Sequence, residues 1–221
     1  VSSGAHVSTR SGFKSLSIAL ISALTLGIAT PAMAVNGEYS YLQGSQAQGN
    51  NALAIGVSAK AIGGEKNTAY GSDAQAKGTW NVAIGSNAQA ISNGSGNEAG
   101  DNGQGNSIAI GSNSQAMDTN TIAIGLDAQA TKKKAIAIGA HSKALDDYGA
   151  AYGYNSEATK SQSTAIGSGT KAVGVQSTAI GNDAVATGMS AIAIGNDDIW
   201  NFGAKDGGKL LGYARQVFTD E

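Results

Sequence analysis

The tripeptide Ala-Ile-Gly or Ala-Tyr-Gly recurs in this chain, ten copies of it in one register, and their spacing constrains the fold more than any other feature. The glycines are Gly56, Gly71, Gly85, Gly111, Gly125, Gly139, Gly153, Gly167, Gly181 and Gly195, and the intervals are 15, 14, 26 and then six times 14 residues. A short fixed period marks a solenoid, in which each repeat buries its apolar face only against its neighbours. Three residues before the glycine the side chain is mostly β-branched, as in Val82, Ile108, Ile122, Ile136, Thr164, Thr178 and Ile192. A segment such as Ile108-Ala109-Ile110-Gly111 therefore reads as a short strand. Its isoleucines share one face and its alanine takes the other.

Aligned on the glycine, a second strand follows. Three residues on stands Ala, Ser or Thr, and five on stands Ala in all copies from Ala61 to Ala186. The residue between is usually long and polar: Lys60, Gln75, Gln89, Gln115, Gln129, Lys143, Glu157 or Lys171. Small residues inward and polar residues outward is the pattern of a half-buried strand. Asn or Asp recurs two after the glycine, as in Asp73, Asn87, Asn113 and Asp127, where a turn is expected. Gly63, Gly78, Gly174 and Gly188, seven after, suggest the second turn. The expectation is an all-β parallel solenoid of 14-residue coils, roughly 50 Å long at about 4.8 Å per coil.

Composition fits this thin coil. Of 221 residues 32 are glycine, and only 12 are aromatic. An interior of alanine buries little apolar area, at about 25 cal/mol per Å², against an ordering cost of about 1–2 kcal/mol per residue. The chain is therefore expected to need partners over its remaining apolar face. Cysteine is absent, histidine occurs twice and the net charge is −2. These values exclude a disulfide framework and a Cys nucleophile. They speak against a multi-histidine metal site within one chain, and against a general nucleic-acid binder. No catalytic set, cofactor site or metal site is expected.

Residues 1–34 read as a secretory signal. Arg10 and Lys14 precede an apolar run from about Leu16 to Ile28, followed by Pro31 and Ala32-Met33-Ala34, an A-x-A cleavage site. No later segment is long and apolar enough to span a membrane. The repeat then occupies 35–195, with an inserted Gly- and Asn-rich loop at about 91–105 that carries Glu98 and Asp101. Loops of this kind often carry function. Residues 196–221 hold Trp200, Phe202, Tyr213 and Phe218 and read as a cap or the start of a neck.

The coil motif, as in Asn106-Ser107-Ile108-Ala109-Ile110-Gly111 followed by Ser114-Gln115-Ala116, resembles the head repeat of trimeric autotransporter adhesins, the YadA-like head. The resemblance spans about Gly44 to Gly195. It implies a left-handed parallel β-roll, three chains side by side, and display on the outer surface of a Gram-negative bacterium. The implied function is non-enzymatic adhesion to host matrix proteins such as collagen or fibronectin, or to cells. Its partners would be two further copies of the chain and the host ligand, with no nucleic acid and no membrane contact from the head. Residues 196–221 depart from the family's usual neck sequence, and no membrane anchor lies within these 221 residues.

The Asn-Ser-x-Ala-Ile-Gly segments resemble the stretch linked in that family to collagen binding. They single out Asn106 and Ser107, and more loosely Asn120, Thr121, Ser163 and Ser177, as candidate ligand contacts beside Glu98 and Asp101 of the loop. His141 is expected to be a surface turn residue. Asp118, Lys132, Asp146 and Lys160 share one slot in successive coils, so a ladder of alternating charges is expected there. A structural spacer that displays loops without recognising a receptor is the alternative function. A hexapeptide-repeat acyltransferase is disfavoured, because 14 is not a multiple of six. The outward Gln, Lys and Glu disfavour an ice-binding solenoid, and the missing Gly-Gly-x-Gly-x-Asp pattern disfavours a calcium-binding roll.

Overall fold

The structure, a computed structural model, describes residues 39–92 and 105–196. It is a solenoid with two parallel sheets, one of eleven strands and one of ten. The first runs from Tyr39–Tyr41 to Ile192–Ile194 and carries the Ala-Ile-Gly segments. The second runs from Gln46–Ala47 to Val185–Ala186. Each strand pairs in parallel with its equivalent one coil later, so Ile122 aligns with Ile136 and Gln115 with Gln129.

Side-chain alternation decides what lies inside. The strands of both sheets turn their alanines inward, and every buried hydrophobic residue of the described chain is an alanine. Ser, Thr and Asn fill the remaining interior positions, among them Ser114, Ser142, Ser156 and Thr170. Their hydroxyls close local turns: Ser142 Oγ donates to the Gly139 carbonyl at 2.8 Å and Thr170 Oγ1 to that of Gly167 at 2.8 Å. No buried side-chain nitrogen or oxygen lacks a partner among the described residues. The interior is thus a narrow column of methyls with its polar groups satisfied, as the sequence led us to expect.

Each coil turns twice through a left-handed residue. The first turn uses the Asn/Asp slot read from the sequence, with φ of 56° at Asn113 and 53° at Asp127. The second turn differs from expectation in its left-handed slot, which lies five before the repeat glycine and is never glycine. Asn51, Lys66, Trp80, Asn106, Asn120, Lys134, Tyr148, Gln162, Gln176 and Ser190 fill it, with φ between 46° and 61°. The turn itself lies where Gly63, Gly78, Gly174 and Gly188 suggested it: Gly63 and Gly78 also have positive φ, 86° and 118°, whereas Gly174 and Gly188 do not.

The repeat glycine has its own reason. At Gly139 φ is 131°, and an added Cβ would collide with the next coil, 2.6 Å from the Gly153 carbonyl carbon. The glycine is needed both for its backbone angle and because consecutive coils touch there.

Candidate functional site

Three surfaces of the rod remain once its interior is filled. The first is the outer face of the eleven-stranded sheet. Two ranks of side chains run along it, one through Ile108, Ile122 and Ile136 and the other through Ile110, Ile124 and Ile138. None of these isoleucines is buried, and Ile110 is 36% and Tyr70 53% exposed. The rank through Ile110, Ile124 and Ile138 is apolar along the sheet, and an exposed apolar stripe of this length marks an interaction face.

The second surface is the edge formed by the first turns. Asn87 Nδ2 donates to Asn113 Oδ1 at 3.1 Å, and Asn113 Nδ2 donates to Asp127 Oδ1 at 3.0 Å. Asp127 Oδ2 lies 3.5 Å from His141 Nδ1, and the His141 ring meets Tyr154 edge-on at 5.8 Å. His141 thus occupies a surface turn, as expected, and continues a polar ladder along four coils.

The third surface is the edge of the second turns, where Lys66 Nζ sits 4.8 Å from the Trp80 ring centre and Lys134 Nζ 5.4 Å from that of Tyr148. Further along, Gln176 Nε2 donates to Gln162 Oε1 at 3.0 Å. Asn106 and Asn120 belong to this same row. Of the sequence-derived candidates, Asn106 is exposed and Asn120 half-buried. Ser107, Thr121, Ser163 and Ser177 are wholly buried and point into the rod. Thr121 Oγ1 donates to the Asp118 carbonyl at 2.7 Å and Ser177 Oγ to that of Gly174 at 2.8 Å. Their hydroxyls build turns and offer nothing to a ligand lying on the surface. Glu98 and Asp101, like the signal segment and residues 197–221, lie outside the described residues.

The charge ladder takes another form. Asp118 and Asp146 turn their carboxylates back to accept the backbone N–H of Thr119 and Asp147, at 2.7 and 2.8 Å. A cross-coil ion pair forms instead on the outer face of the second sheet, between Lys143 Nζ and Glu157 Oε1 at 3.1 Å. Among the described residues no group of three or more His, Cys, Asp or Glu is placed to hold a metal ion.

The model of the YadA head domain repeat matches residues 44–65, 105–128, 130–156, 147–170, 158–182 and 172–197, together more than half of the chain. The chain belongs to the YadA head family. Family membership carries an adhesin-type surface function. No curated protein matches the chain. Within this YadA head, residues 66–104 fall between the matched segments. That stretch contains a feature the sequence reading missed, a buried asparagine ladder.

Asn67 and Asn81 are fully buried where other coils carry Ala, Gly, Ser or Thr. In regular coils the N–H at this slot bonds within its own turn, as Ala135 N–H does to the Lys132 carbonyl at 3.1 Å. Here the turn is open and the preceding asparagine substitutes. Asn67 Oδ1 accepts the Asn81 N–H at 3.0 Å, and Asn81 Oδ1 accepts the Ser107 N–H at 2.9 Å. Asn81 Nδ2 also donates to the Lys77 carbonyl at 2.7 Å and to Ser92 Oγ at 2.8 Å. Ser92 and Gly105, the two ends of the insertion, are thereby held against one side chain. Asn81→Ala strands the Ser107 N–H in the interior. It is expected to lower stability by about 2–3 kcal/mol, read as a shift in the denaturant midpoint, whereas Asn87→Ala on the exposed edge is expected to move it by less than about 0.5 kcal/mol.

Proposed function

We propose that the chain is the head of a trimeric surface adhesin. Three copies would pack through the isoleucine-rich outer faces of their eleven-stranded sheets. The observation that carries this reading is the division of labour inside the coil. Alanine is the only hydrophobic residue in the described interior, shared with small polar side chains, while every branched aliphatic residue of the strands faces outward. A rod that keeps its isoleucines outside needs a partner surface to cover them. Three copies is the number that the family implies. The segment Ser15–Ala34 would direct export, and the head would stand on the outer surface of a Gram-negative bacterium.

The function is attachment, not catalysis. Its ligand would be a host matrix protein of the collagen or fibronectin type, or a cell surface. Asn106, Asn120 and the loop residues Glu98 and Asp101 remain the candidate contacts. The burial of Ser107, Thr121, Ser163 and Ser177 favours a second reading, in which the rod is a spacer and recognition lies elsewhere. A solid-phase assay of the purified chain on immobilised collagen and fibronectin separates the two. Saturable binding weakened by Asn106→Ala with Asn120→Ala supports the adhesin reading, and an intact trimer that binds neither protein supports the spacer.

A further inference from the structure

The rod repeats itself closely after Gly111 and departs from its repeat in one region, the second turns between Gly56 and Gly111. The coil from Gly56 to Gly71 has one extra residue, at Gly63-Gly64. The strands Lys60–Ile62, Gln75–Lys77 and Gln89–Ile91 are three residues long, where Gln115–Ala116 and its later equivalents have two. The asparagine ladder lies beneath, and the insertion leaves and re-enters beside it. These departures widen a single turn edge.

At the centre of that edge stands Trp80, in a left-handed conformation with φ of 61° and 37% exposed. Left-handed angles are unfavourable for a bulky side chain and tolerated by asparagine. The same slot is asparagine at Asn51, Asn106 and Asn120. The coil imposes the same angle on Tyr148; Trp80 is set apart by its place in the widened turn, where part of its indole stays exposed. Lys66 packs on it, and two further lysines stand on the paired strands Lys60–Ile62 and Gln75–Lys77. Lys66 Nζ is held over the indole, Lys77 is exposed with its Cγ 3.5 Å from where a Cβ on Gly63 would stand, and Lys60 lies on the adjoining strand. Among the described residues of these turns Glu65 is the one carboxylate, and the insertion adds Glu98 and Asp101 outside them.

We propose that this widened turn binds an acidic saccharide. The exposed part of the indole offers a flat apolar surface with an N–H donor at its edge, suited to the C–H face and hydroxyls of a sugar ring. The ammonium groups of Lys66 and Lys77 would pair with its carboxylate or sulfate. The proposal depends on the adhesin reading only in taking the rod to be ligand-bearing, and its test is separate from matrix-protein binding.

The test uses the whole chain and two labelled probes, a heparin hexasaccharide and a hyaluronan hexasaccharide, followed by fluorescence anisotropy at low salt. The two probes distinguish sulfate from carboxylate as the acidic group. Trp80→Asn is expected to weaken binding about tenfold or more while the melting temperature holds or rises, because strain is relieved. Lys66→Gln is expected to weaken it about threefold and flatten its salt dependence. Tyr148→Asn, the same change in the same slot four coils away, is expected to leave affinity within about twofold. The proposal is overturned if neither probe binds, if Trp80→Asn binds as well as the unaltered chain, or if polyglutamate displaces the probes as well as unlabelled heparin hexasaccharide does, which would make the site one for acidic peptides. Collagen binding that survives Trp80→Asn while saccharide binding is lost leaves both readings standing.

Discussion

Gly139→Val is expected to break the rod at its middle. The glycine sits at φ 131°, where a branched side chain is strongly disfavoured, and its Cα faces the Gly153 carbonyl of the next coil. A Cβ there would stand 2.6 Å from the Gly153 carbonyl carbon and 3.2 Å from its Cα. Relief requires prising two coils apart, which would lengthen the backbone hydrogen bonds on that side, such as Gly153 N–H to the Ile138 carbonyl at 2.8 Å. Backbone strain, overlap and weakened pairing add, so we expect a loss above about 4 kcal/mol. The measurement is the denaturant midpoint, or recovery of soluble chain where the variant fails to fold. Gly149→Ala is the contrasting control. Its φ is not left-handed, and the equivalent positions in neighbouring coils are Ala135 and Ser163. An added Cβ would stand 3.1 Å from the Asp146 carbonyl oxygen, a small adjustment set against the reduced freedom of the unfolded chain, so that change is expected to shift stability by less than about 1 kcal/mol.

Ile124→Asp combined with Ile138→Asp is expected to separate the protomers without unfolding a coil. Both isoleucines point outward from paired strands and neither is buried within one chain. Their carboxylates are free in a monomer. In the proposed trimer they become desolvated charges with no counter-ion. The expected weakening of association is at least about 100-fold, since an unpaired buried charge costs several kcal/mol. Sedimentation velocity reads this directly. Gln129→Asp, on the outer face of the other sheet, is expected to leave the mass unchanged.

Much of this architecture was legible because one period governs every coil. The alternation that puts Ala109 inward and Ile108 and Ile110 outward follows from strand geometry alone. The same alternation, carried one step back, also sends Ser107 inward. The resemblance drew attention to the Asn-Ser pair as a unit, although its two members face opposite ways. The first turn was readable because asparagine and aspartate favour left-handed angles. The left-handed slot of the second was not, because Lys66, Trp80, Lys134 and Tyr148 carry no such preference and are imposed on that conformation by the coil around them. At the slot of the expected charge ladder a local contact enters. Asp118 and Asp146 each reach their own turn's backbone N–H more readily than a lysine one coil away. Asn67 and Asn81 look like ordinary polar residues in sequence. Only the open turns beneath the insertion show what they replace.

The central claim is that a rod with an alanine interior and an isoleucine exterior is stable only with copies of itself. The most direct measurement is the solution mass of the purified chain by light scattering, together with its circular dichroism. We predict a β-rich species of three times the mass of the single chain that begins at Val35. A folded, β-rich monomer that persists at high concentration would contradict the account.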